Sequence, residues 1–311
     1  MRRIIHEKIV KTLSSDLNRK IFTQSFWIIL GNVISKFTLL IATIFMAKYL
    51  DKEEYGQFGI IKSTILMFAM FAGMELGMTA TKFIAQYRFS QKRKLERIVG
   101  MSTFFAIVIS ILISFLIYLF AIPIAHQINA PNLNTEIKIS AFILFFSSVN
   151  GIQNGILAGI EKFKELSINS AMSGIISSVL LILAARFYTL DVVIIAFGAN
   201  YVLFFIFNFI TLRKKFYSEF KIEFWSKENF KEIKILWDFS FPAFLAGLMV
   251  APVVWYANYV LVNQPSGYLQ MANFDIASQW RNTILFIPAA LSQIALPLLS
   301  SRVEDKAQYR M

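Results

Sequence analysis

Cysteine is absent from the 311 residues. That excludes a disulfide framework, a thiolate nucleophile and any zinc site built on sulfur. Histidine is nearly absent: His6 and His126 lie far apart in polar flanking segments, so neither a metal centre nor a cofactor is expected. Charged side chains make up only 16% of the chain, whereas 57% of it is hydrophobic, with 32 Phe and a mean hydropathy of +0.59. Such a balance excludes an ordinary soluble domain. Acidic residues are the scarcer sign, 19 against 31 Lys and Arg, for a net charge of +12. In a soluble chain that excess would raise nucleic acid as a partner. Here the placement of the charges accounts for it, and no nucleic acid is expected.

What is present is a series of long apolar runs. Eight of them approach the ~20 residues needed to cross a ~30 Å hydrocarbon core: 26–49, 57–80, 98–121, 138–158, 167–185, 191–212, 237–261 and 274–299. The fold class that follows is an all-α polytopic membrane protein. Ahead of the first run, Ile5, Ile9, Leu13, Leu17 and Ile21 recur among Lys8, Lys11, Arg19 and Lys20, so 1–25 reads as a basic amphipathic helix on the membrane surface rather than a cleavable signal. Residues 26–212 form a first half of six spans, 213–236 a basic linker, and 237–311 part of a second half. In the linker, Ser226 precedes Phe230, Ile233 and Leu236, the pattern of a second capped interfacial helix.

The basic residues sort by loop. Segments 1–25, 81–97, 159–166, 213–236 and the final tail hold 24 of the 31 Lys and Arg, while the alternate loops hold only Lys52 and Arg186. Cytoplasmic loops retain positive charge, which predicts both chain ends on the cytoplasmic side. A shift of 211 residues aligns Ser15 with Ser226, Gly31 with Pro242 and Gly56 with Gly267. The same order of surface helix, span, Gly-containing turn and span recurs, which suggests an internal repeat.

Charges inside the spans point to function, because one at mid-membrane depth costs roughly 2.5–3.5 kcal/mol on insertion scales. Lys36 lies ten residues into the first span, about 15 Å deep at 1.5 Å per residue, too far for its stem to reach an interface. Glu75, seven residues before Lys82, is placed to pair with Lys36 if their helices touch. Lys62 and Arg281 fall in the outer thirds of their spans, with Asp275 near the rim. Asn32, Asn150 and Asn154, with Ser35, Gln153, Asn200 and Asn208, are polar positions that can bind a substrate or bond neighbouring helices.

At Ala47-Lys48-Tyr49-Leu50-Asp51-Lys52-Glu53-Glu54-Tyr55-Gly56 the chain resembles the polysaccharide flippases of the Wzx type, in the multidrug/oligosaccharidyl-lipid/polysaccharide exporter superfamily. The resemblance continues in Glu75-Leu76-Gly77 through Lys82-Phe83, in Gly155-Ile156-Leu157-Ala158-Gly159 and in Phe241-Pro242. It implies a MATE-like helical bundle of two six-helix halves around a central cavity, of which this chain would supply the first half and two further spans. A product of truncation is therefore expected. The implied activity is non-enzymatic translocation of an isoprenoid (pyro)phosphate-linked oligosaccharide across the inner membrane of a prokaryote. Membrane lipids, a polysaccharide polymerase and chain-length machinery would be its partners. On that reading Lys36, Lys62, Glu75, Arg281, Asn32, Asn150 and Asn154 line a largely cationic cavity that receives the phosphate. The competing readings are a cation-coupled multidrug exporter, which calls for acidic cavity residues, and a membrane glycosyltransferase, which calls for a catalytic acid or base on a sizeable outer loop. An inactive remnant is the third.

Overall fold

The structure, a computed structural model, describes residues 16–285; the side chains of 16–25 and of Asn32 lie outside that description. Every regular element among the described residues is helical. The reason is the solvent: in hydrocarbon each backbone N–H and C=O must be satisfied internally, and a helix does so within one segment. Seven segments are long and apolar enough to cross a membrane, so the chain is a multi-pass membrane protein. Each overlaps one of the first seven expected spans, the second only in part, since it ends at Gly73.

In chain order the helices are α1 (Asp16–Tyr49), α2 (Lys52–Gly73), α3 (Leu76–Tyr87), α4 (Lys92–Leu119), the short α5 (Ala121–Gln127), α6 (Asn134–Gly159), α7 (Phe163–Phe187) and α8 (Leu190–Lys215). An extended linker leads to a π-turn, Leu236–Ser240, then α9 (Phe241–Leu248), α10 (Ala251–Val262) and α11 (Gly267–Ile284). The eighth expected span begins within α11 and runs on into residues outside the description. The surface helix expected over 1–25 is likewise described only from Asp16, where the chain is already in one uninterrupted helix with the first span. The second interfacial helix takes another form. Ser226 accepts from Glu228 N at 3.3 Å, but the segment it caps, Lys227–Glu232, is a 3₁₀ helix.

That linker is tied down at the basic end of the bundle. Arg97 on α4 donates to Glu232 Oε1 from Nε at 3.1 Å and from Nη2 at 2.8 Å. Phe104 meets Trp225 and Phe230 edge-on with ring centroids 5.1 and 5.7 Å apart. Arg88 pairs with Glu161, joining two basic loops.

Small residues set the helix contacts, as expected where lipid gives no hydrophobic drive for helix association. Gly151, Gly155 and Gly159 line up at four-residue spacing on α6 and receive α3. A Cβ on Gly77 or Gly155 would overlap backbone of the opposing helix, and one on Gly159 would come within 2.7 Å of Ile84. Helix α1 packs chiefly on α7, where Gly31 faces Ser167 and Gly174 faces Ser35. The buried apolar side chains form two main clusters. One gathers Tyr55, Phe58, Ile61, Leu144 and Phe197 toward the end opposite the basic loops; the other gathers Ile84, Leu95, Ile98, Ile156 and Phe216 near them.

Candidate functional site: a polar cavity at a broken helix

The run expected as one span, 57–80, is broken. Gly73 ends α2, and the next two residues, Met74 and Glu75, both adopt left-handed backbone, with φ of 41° and 53°. Neither is glycine, so each costs of order 1–3 kcal/mol unless its surroundings hold it there. Local bonds close both sides of the break: Met74 N donates to Met70 O at 3.1 Å, and Met78 N and Thr79 N donate to Glu75 O at 3.1 and 3.2 Å. Irregular backbone at membrane depth is tolerated where it lines a wet cavity or is buried in protein. Here it lines a cavity.

The cavity measures about 620 Å³ and is half-open. Its lining comes from α1, α2, α3, α6, α7 and α8. Glu75 is the charged residue in that lining. Around it are Thr81, Ser147, Ser148, Asn154, Ser167 and Ser170, with Phe204 as the aromatic wall and the bare backbone of Gly151 as part of the floor. Thr81 is engaged with the carbonyls of Gly77 and Gly155, at 3.0 and 3.2 Å. Ser148, 3% exposed, has an Oγ without a partner.

Of the side chains singled out from sequence, the structure brings Glu75 and Asn154 together in this cavity. Asn154 also belongs to a buried amide chain. Asn208 Nδ2 donates to Asn154 Oδ1, and Asn169 Nδ2 donates to Asn208 Oδ1, both at 2.9 Å, so α6, α7 and α8 are bonded through their interior. Asn150 is turned the other way: it is buried and donates to Tyr201 O at 2.9 Å, bonding α6 to α8 instead of facing the cavity. Asn200 does the same toward Ser177, at 2.9 Å. Asn32 falls outside the described side chains.

The lysines and the arginine depart from the expected cationic lumen. Lys62 on α2 is already paired: its Nζ lies 2.6 Å and 2.7 Å from the two carboxylate oxygens of Asp275 on α11, with 12% and 6% of the two side chains exposed. The Tyr55 hydroxyl stands 3.5 Å from the same carboxylate. This pair joins α2 to α11, whose backbones meet at Gly56 and Tyr268, about two helical turns away. Lys36 and Glu75 make no ion pair, because α1 packs on α7 and touches α2 little. Lys36 is half-buried and outside the cavity lining, and Arg281 is exposed on α11.

Sequence reasoning missed the serines, Gly151 and Phe204. A signal existed for some of them: Ser147, Ser148, Gly151, Asn154, Gly155 and Ala158 recur at helical spacing on one face of α6, a stripe of small and polar residues inside an apolar span. Asp275 was read as a rim residue, and nothing in the sequence names its partner 213 positions away.

A family whose description is polysaccharide biosynthesis protein matches residues 21–302. The EPS I polysaccharide export inner membrane protein EpsE of Ralstonia nicotianae is 37% identical over 70 residues, which are 22% of this chain and 16% of that one. EpsE of Ralstonia solanacearum matches to the same extent. Among solved structures, the MATE multidrug transporter DinF-BH superposes with a TM-score of 0.72 at 15% identity, covering 96% of this chain and 68% of that chain. The eukaryotic MATE transporter AtDTX14 gives 0.69 at 14% identity, covering 94% and 67%. These likenesses show a MATE-like fold.

Proposed function

This chain belongs to the polysaccharide biosynthesis protein family, and we propose that it serves to move an isoprenoid-linked oligosaccharide from the cytoplasmic to the outer leaflet, without covalent chemistry, during surface polysaccharide assembly. One observation supports this most: a cavity of about 620 Å³ lined by a carboxylate, hydroxyls and an amide, beside a helix break in an apolar bundle. A headgroup rich in hydroxyls cannot cross hydrocarbon unaided, and such a lining offers it hydrogen bonds at the depth where water is missing. The isoprenoid tail stays in the bilayer. With the basic loops facing the cytoplasm, the Lys62–Asp275 pair holds the two halves together on the outer side. Release to that side requires it to part.

Lys36, ten residues into its span and free of an ion-pair partner among the described residues, is the residue we assign to the lipid phosphate. Lys62 and Arg281 are not needed for that role. The test is complementation of a strain lacking the gene, with surface polysaccharide quantified at matched expression. Lys36→Ala and Gly151→Leu are expected to lower output at least about tenfold, the effect of ~1.4 kcal/mol; normal output from both would refute the reading.

A second reading, export of cationic drugs, is favoured by one observation, the acidic sign of the cavity's charged residue. It predicts that the chain raises resistance to lipophilic cations and that Glu75→Gln removes the resistance, with surface polysaccharide unaffected.

A further inference from the structure

The cavity and Lys36 divide the charges of a lipid-linked headgroup between two places. We propose that the cavity takes the glycosyl residues, accepting neutral and amine-bearing sugars and rejecting acidic ones such as uronates, while the isoprenoid phosphate is held outside it. The inference rests on the translocation reading above and narrows it to a substrate class.

The hydrogen-bonding capacity left open in the lining is of the kind that hydroxyls use. Asn154 has committed its Oδ1 to Asn208, whose own oxygen is committed to Asn169, so the direction of the chain is set and Asn154 is left with its NH₂ as a donor. The Ser148 hydroxyl is buried with no partner among the described residues, although buried polar groups are as a rule bonded, so it awaits a ligand group or a water. Glu75 adds two acceptor oxygens and makes no ion pair among the described residues. Vicinal sugar hydroxyls both donate and accept, and the Phe204 ring offers an apolar face for the C–H side of a pyranose. A volume of about 620 Å³ is within the ~300–1,000 Å³ of small-ligand pockets.

The same lining argues against the phosphate. A phosphate calls for Arg, Lys or several aimed N–H groups. Among the described lining residues there is no Lys or Arg, and the lone charge is Glu75. In its ionised form, at low effective dielectric, that group repels a phosphate or a uronate and attracts an ammonium, whose arrival itself favours the ionised form. Headgroup selection by sign then follows from one residue.

The test uses the purified full chain in lipid nanodiscs and four probes by equilibrium dialysis: maltotriose, a glucosamine trimer, a galacturonate trimer, and undecaprenyl phosphate without sugar. The wild-type ranking, which needs no variant, is expected to place the acidic trimer at least about tenfold weaker than the neutral one, roughly 1.4 kcal/mol. Glu75→Gln, nearly isosteric, should bring the acidic trimer to within about threefold of the neutral one and weaken the amine trimer. Gly151→Leu, which fills open space on α6, should abolish binding of all three trimers and spare undecaprenyl phosphate. Equal binding of acidic and neutral trimers by the wild type, or trimer binding indifferent to both substitutions, would overturn the assignment. Absence of undecaprenyl phosphate binding, with the sugar ranking and its response to Glu75→Gln intact, would instead refute the translocation reading and leave the cavity a sugar site.

Discussion

Removing one partner of the Lys62–Asp275 pair tests how α2 and α11 are joined. Asp275 is buried and Lys62 largely so, with 6% and 12% of their side chains exposed. Truncating one member leaves the other as an uncompensated charge, which typically costs about 3–5 kcal/mol. For 311 residues at an unfolding entropy of about 2.1 cal/mol/K per residue, that is a fall in Tm of roughly 5–8 °C. Lys62→Ala and Asp275→Ala should each show it, by loss of the monodisperse peak after heating in detergent. The double variant Lys62→Met with Asp275→Leu should recover most of the loss, since apolar replacement of a buried pair is often neutral. The charge swap Lys62→Asp with Asp275→Lys should recover part. If each single variant melts within about 1 °C of the wild type, the pair contributes nothing and the seam between α2 and α11 is held by packing alone.

Gly77→Ala would drive a methyl into the backbone of Gly151, so α3 must move off α6; a loss of about 1–3 kcal/mol is expected, read as a lower Tm. Asn208→Leu cuts the amide chain linking α6, α7 and α8, and by comparison with interhelical hydrogen bonds in membranes should cost only about 0.6–1.7 kcal/mol, measured the same way. Because the chain contains no cysteine, topology can be read from single introduced thiols. One at Asn134 should react with an impermeant reagent from outside the cell and one at Lys92 only after permeabilisation; the reverse pattern would invert the orientation.

The bundle was legible because its causes are local. Span length, apolarity and loop charge are properties of contiguous residues, and the first seven spans appear where length and hydropathy put them. The break at Met74 and Glu75 was not. Gly73 is a weak cue, and two non-glycine residues in left-handed backbone are stabilised by tertiary surroundings that a single sequence does not display. Pairing of the buried charges failed for a related reason. Lys36 and Glu75 looked matched because their spans are consecutive, yet contiguity in sequence does not decide adjacency: Gly31 and Gly174 turn α1 toward α7. Lys62 finds Asp275 because α2 crosses α11 at Gly56, one of the glycines aligned by the 211-residue shift. The polarity of the lumen was inferred by adding up intramembrane charges. The structure separates them, putting Lys62 in a seam and Arg281 on the surface and leaving Glu75 in the cavity.

Translocation without covalent chemistry is measurable in proteoliposomes. The purified chain would be reconstituted with a fluorescent isoprenoid-pyrophosphate-linked neutral trisaccharide, and the fraction of label in each leaflet followed by an impermeant quencher. The account predicts that outer-leaflet label becomes exchangeable with inner-leaflet label in vesicles bearing the wild type, that the substrate is recovered chemically unchanged, and that Lys36→Ala and Gly151→Leu vesicles exchange no faster than protein-free ones. Exchange at the protein-free rate with the wild type, or equal exchange with all three proteins, would contradict it.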